Sequence, residues 1–221
     1  MAKQTLPGLL SFNAGFVDTA GFLGLQGLFT AHVTGNFVTL GAALVFGTHG
    51  ILAKLLALPE FVLVLVLARL VASELRRREI DALRVLLVAK VIFLLAFFVL
   101  GVALGPFPDS DAPAALLTGF AGVAGMAIQN GVQRTHYGAI PPTTLMTGNT
   151  TQAALDIVDL WRPAPGTDVT AVRTRFQRTL AGIFWFAAGC GVAAVLYYFF
   201  GFWCLAVPVA VGAATAILRS P

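Results

Sequence analysis

The chain has 221 residues, 58% of them hydrophobic and 11% charged, with a formal net charge of +4. A charged fraction roughly half that of a soluble domain excludes an ordinary water-soluble globule and points to an all-α integral membrane protein. The basic excess does not describe a nucleic-acid footprint, because Lys and Arg stand at the ends of apolar runs and not in a patch with interleaved aromatics.

The first apolar run, Leu6 to Leu28, follows Lys3 much as in a secretion signal. Asp18 interrupts it and no small-residue cleavage site follows, so it reads as a mature span. A charge near the middle of a span costs a few kcal/mol or more, so Asp18 must face the bundle interior or water. It is a candidate proton or cation site, a candidate acceptor for substrate, or a structural acceptor. Gly15 and Gly21 flank it at i−3 and i+3, and Gly8 and Gly24 extend a small-residue stripe that lets another helix approach closely. His32 and then Thr34-Gly35-Asn36 follow. Thr and Asn side chains accept from the free N–H groups of a first helical turn, so the tripeptide predicts a helix start. The helix it opens, ending at Phe46, is about 16 Å long against a hydrocarbon core of about 30 Å, too short to cross comfortably. Two full spans, Ile51 to Leu75 and Val85 to Leu104, complete the first half.

The fourth span, Ala114 to Gln133, repeats the glycine spacing with Gly119, Gly122 and Gly125, and carries Gln129, Asn130 and Gln133 where the first half has an acid. These amides could serve a pathway or hold helices together. The tripeptide then returns as Thr147-Gly148-Asn149 and opens a second short helix, Thr150 to Leu160. There Asn149, Gln152, Asp156 and Asp159 share one helical face, as in a wet vestibule or a helix end in solvent. A Pro- and Gly-containing loop leads to the spans Thr179 to Phe200 and Phe202 to Leu218. Cys190 and Cys204 lie inside apolar runs and read as small core residues. No metal site or cofactor is expected: with His49 and His136 in loops on different sides, His32 lacks zinc-ligand partners.

Basic residues test which segments cross, since cytoplasmic ends carry Lys and Arg. If both short helices dip in and return, and the N-terminus is cytoplasmic, every basic residue from Lys3 to Arg219, Lys90 included, falls at a cytoplasmic end except Lys54. If both cross, the basic residues divide evenly between the two sides. The expectation is therefore six transmembrane helices plus two re-entrant half-helices, with both termini cytoplasmic. Three crossings per half is odd, so residues 1–104 and 105–221 form an inverted repeat within one membrane domain. The two tripeptides would then meet near the midplane, where non-helical backbone must be buried or line a cavity.

The residues Gly15, Val17, Asp18, Gly21, Phe22, His32, Thr34, Gly35 and Asn36, with Gly125, Met126, Gln129, Asn130, Arg134, Thr143, Thr147, Gly148 and Asn149, resemble the YoaK family of bacterial membrane proteins. Gly131 stands where that pattern has Ala. The resemblance covers nearly the whole chain and implies a bacterial inner-membrane protein, taken to be a small-molecule transporter, with no substrate to carry over.

The function expected is transport of a small polar or anionic solute, with protons as a candidate coupling ion. The pathway residues are Asp18, His32, Thr34, Asn36, Gln129, Asn130, Gln133, Thr147, Asn149, Gln152 and Asp156. Lipids surround the chain and its glycine faces also suit a homo-oligomer. The alternatives are a passive channel and a non-transporting assembly or sensor protein. An enzyme is not expected, since the chain has neither a His-Glu-x-x-His nor a Gly-x-Ser-x-Gly motif.

Overall fold

The computed structural model describes residues 2–138 and 140–218; Arg219 lies outside the described residues. Within them the chain is helical, with no strand. The helices are α1 (Ala2–Gly24), α2 (Asn36–Phe46), α3 (Ile51–Arg77), α4 (Ala82–Leu104), α5 (Pro113–His136), α6 (Met146–Trp161), α7 (Val169–Phe200) and α8 (Ala206–Ile217). Two 3-10 turns, Val33–Gly35 and Gly201–Leu205, precede α2 and α8.

Where these boundaries differ from expectation, local chemistry accounts for it. Helix α7 starts ten residues earlier than expected, at Val169, where the Asp168 side chain accepts from Thr170 N and Ala171 N; it stops at Phe200, as expected, where Gly201 takes a positive φ of 53°. The last expected span is therefore a 3-10 turn followed by a helix of 12 residues. Pro208 sits in the first turn of α8, where its missing N–H leaves no helical bond unmade. The second short helix begins earlier than expected, at Met146, and runs 16 residues, about 24 Å.

Among the described residues, four stretches are long and apolar enough to cross a bilayer: α3, α4, α5 and Val169–Ile217. Helix α5 is the central one, with 72% of its most apolar stretch buried against 17% for α3, whose Val62, Val66, Leu67 and Leu70 face outward. Helix α1 packs along α7 and α3 along α5; α2 lies on α3 and α6 on α7; α4 packs on α5 and α8 on α1. The α1–α7 contact is the closest. A Cβ on Gly15 would run into the Phe186 carbonyl oxygen, and one on Gly189 into that of Phe12. On one end of the bundle Phe202 meets Phe97, Phe107 and Tyr197 edge-on, at 5.5 to 6.3 Å between ring centroids. Asp111, in the loop before α5, accepts from Gly50 N (3.2 Å) and Ala53 N (2.9 Å), satisfying two donors at the start of α3.

Lys90 departs from its expected place at a helix end. It is wholly buried, on the same face of α4 as Leu86, Leu94, Phe97 and Gly101. With the Asn13 amide oriented so that its nitrogen donates to Pro208 O (3.2 Å), the amide oxygen accepts from Lys90 Nζ at 3.0 Å. A spacing of three or four residues puts Lys90 in phase with the core face of α4, and phase overrides its charge.

Candidate functional site

Between α1 and α2 the backbone leaves the helix and turns back through the protein, so its N–H groups need outside partners. Asp18 supplies them. Its Oδ1 accepts from Thr30 N (2.8 Å), Ala31 N (2.7 Å) and His32 N (3.2 Å), while Thr30 Oγ1 donates to Val17 O at 3.2 Å. Asn36 closes the other end: it accepts from Phe29 N and donates to Phe29 O, both at 2.8 Å. Both side chains are buried. The tripeptide starts a helix as expected, but by a different device. Neither short helix has a side-chain cap; each Asn binds the loop leading in.

The second half repeats this. Asn149 Nδ2 donates to Pro142 O at 2.7 Å, the same seven residues upstream as Phe29 is from Asn36. Pro has no N–H, so the return bond is missing. In place of one carboxylate, amides hold the second loop. Asn130 Oδ1 accepts from Thr144 Oγ1 (2.7 Å), Gln133 Nε2 donates to Ile140 O (3.0 Å), and Gln129 Nε2 donates to Leu10 O (2.8 Å) and Thr143 Oγ1 (3.3 Å).

Two cavities adjoin these loops. One of about 430 Å³ lies between α3, α5 and the first loop; His32, Thr34, Asn130 and Thr144 line it, with Arg69 and Arg134, and the rest is predominantly apolar. The other, about 880 Å³, lies between the second loop, α6 and α7, where Asn149 and Gln152 face Thr174, Arg175 and Arg178. The expected pathway residues therefore divide. His32, Thr34 and Asn130 line the first cavity, and Asn149 and Gln152 the second. Asp18, Asn36, Gln129 and Gln133 are buried in loop-closing bonds and line neither. Thr147 is exposed on α6 and lines neither. Arg69, Arg134 and Thr144 were not expected at a site, because a sequence reads Arg at a helix end as a marker of orientation.

Asp156 is fully buried and held by α7: Arg175 Nη2 donates to its Oδ1 at 2.6 Å and Arg175 Nε at 3.0 Å, with Gln152 Nε2 adding 2.8 Å. Asp159, on the same face, is half exposed. The polar stripe on α6 is thus in large part an α6–α7 clamp. Arg175→Gln strands a buried carboxylate. Because Arg175 is itself 47% exposed, solvent screens part of the interaction, and the expected outcome is a lowered unfolding temperature. Thermal unfolding in detergent should show it, and Asp156→Asn in the Arg175→Gln background should recover part of it.

An all-helical bundle with four membrane-length apolar stretches and two side-chain-braced loops turned into its interior defines the class: a helical membrane protein. The chain belongs to the family described as protein of unknown function (DUF1275), whose model matches residues 6–218. No curated protein and no solved structure matches it.

Proposed function

We propose that the chain is a membrane transporter for a small polar or anionic solute, and that the 430 Å³ cavity holds the solute. One observation carries the reading: residues from both halves, His32 and Thr34 from one and Asn130 and Thr144 from the other, line a single cavity beside two non-helical loops. In this reading the halves 1–104 and 105–221 are an inverted repeat, α2 and α6 are re-entrant, and six segments cross: α1, α3, α4, α5, α7, and the 3-10 turn Gly201–Leu205 together with α8.

The helix pairings support the repeat, because they exchange when the halves are exchanged: α3–α5 with α7–α1, α2–α3 with α6–α7, and α4–α5 with α8–α1. The two members of the first pair differ. Helices α3 and α5 enclose a cavity, whereas α1 and α7 are in backbone contact. A carrier caught with one side open and the other shut has this asymmetry. With Arg69 and Arg134 at cytoplasmic ends, the open side faces the cytoplasm. Asp18 in this reading fixes the first loop.

Two measurements test it. In a variant lacking Cys190 and Cys204, single cysteines at Ala82 and Thr167 should both label from the cytoplasmic face with an impermeant reagent; labelling from opposite faces overturns the re-entrant arrangement. Proteoliposomes should take up a radiolabelled carboxylate saturably and along an imposed ion or pH gradient. Flux that never saturates identifies a passive channel and overturns the carrier.

A further inference from the structure

We propose that the 430 Å³ cavity binds an anionic amphiphile, its acidic head between Arg69 and Arg134 and its apolar body against Phe61, Leu65 and Ile128. The proposal deepens the transporter reading and rests on it for the fate of the bound molecule.

The volume lies in the ~300–1,000 Å³ range of small-ligand sites. Its walls are mainly aliphatic and aromatic, so a fully hydrophilic solute would give up hydration there for little return. The lining amide is already engaged, Asn130 Oδ1 with the Thr144 hydroxyl and Asn130 Nδ2 with Met126 O at 3.2 Å. The charge in the lining is all of one sign: two guanidiniums and no carboxylate. Among the described residues neither Arg69 nor Arg134 has a carboxylate in ion-pair contact; the ion pairs formed there involve Arg77, Arg78, Arg175 and His49. A guanidinium beside an apolar wall, with its fork available, matches a carboxylate or phosphate carried on a hydrocarbon body.

The shared chemistry has two sources, a soluble organic acid or an anionic lipid entering sideways past the exposed face of α3. The test uses the full chain in phosphatidylcholine nanodiscs, with protein-free discs subtracted, titrated calorimetrically with octanoate, 1-octanol, octylamine and acetate. Octanoate should bind saturably, with affinity falling about fourfold for each methylene removed. Octanol should bind at least about tenfold more weakly, and octylamine and acetate not measurably. Arg69→Gln with Arg134→Gln should erase the preference for octanoate over octanol while leaving thermal unfolding of the ligand-free protein unchanged. Leu65→Trp should weaken octanoate binding by intruding on the apolar wall of the cavity. Phosphatidylglycerol in the discs should compete with octanoate if the occupant is a lipid and leave it untouched if it is a soluble acid; either result keeps the site. Equal binding of octanol and octanoate, or an octanoate preference that survives the double substitution, overturns the proposal. Octanoate binding without uptake in proteoliposomes would remove the transporter reading and leave this site. Uptake of a hydrophilic carboxylate with no octanoate binding would do the reverse.

Discussion

Asp18→Leu is expected to leave little folded protein. One carboxylate oxygen accepts three backbone N–H groups, from Thr30, Ala31 and His32, inside a site that excludes water. Leucine matches the volume and accepts nothing. Each stranded donor costs about 1–3 kcal/mol, so the total of about 3–9 kcal/mol is a large part of an ordinary folding free energy. Asp18→Asn keeps a carbonyl oxygen of the same reach, but loses the charge and puts an NH2 group in the place of Oδ2; it should lose about 1–2 kcal/mol and still fold. Asp18→Glu pushes the carboxylate one methylene past its three donors in a packed interior and should be worse than Asn. Unfolding by heat or SDS in micelles ranks the three. The order Asn, Glu, Leu identifies a structural acceptor. Near-native stability in Asp18→Leu would show that the cradle does not hold the loop. A proton carrier predicts a different pattern: Asp18→Asn folded but without gradient-driven uptake, and Asp18→Glu active.

The helices were legible in the sequence because most are apolar runs ended by a short punctuating signal, as with Gly47 and Gly105 at the ends of α2 and α4. It also located the two loops, since a repeated Thr-Gly-Asn in apolar surroundings has few other uses. What it did not give was how the Asn works. Capping is a local rule read three residues forward, whereas Asn36 and Asn149 reach seven residues back, across a loop whose path depends on α1 and α5. Lys90 looks like the basic end of a span by charge, but the stripe Leu86, Lys90, Leu94, Phe97 and Gly101 puts it on the core face of α4 by spacing. The first cavity was half legible. His32, Thr34 and Asn130 are polar residues in apolar segments and draw notice, but Arg69 and Arg134 look like the ordinary basic ends of spans until the fold sets them beside one opening.

Gly189→Ala is expected to part α1 from α7. Its new methyl group would occupy the space of the Phe12 carbonyl oxygen, and backbone cannot move aside as a side chain would. Overpacking of this kind costs about 1–3 kcal/mol or more. Gly191, two residues on in the same helix, has nothing within reach of a Cβ, and Gly191→Ala should be neutral or stabilising by up to about 1 kcal/mol through helix propensity. The pair separates contact from propensity on one element. The chain also carries a reporter at the seam, for Cys190 Sγ lies 3.5 Å from Gly15 O. If the α1–α7 contact is the closed side of a carrier, Gly189→Ala should raise the rate at which Cys190 reacts with an impermeant thiol reagent applied from outside, and Gly191→Ala should not. Cys204, buried in the main core, reports unfolding. Faster labelling of Cys190 with Cys204 still silent means that the helices have parted while the bundle stands, as alternating access requires. If both cysteines label together, the α1–α7 contact is a structural joint, and the side that opens must be sought elsewhere.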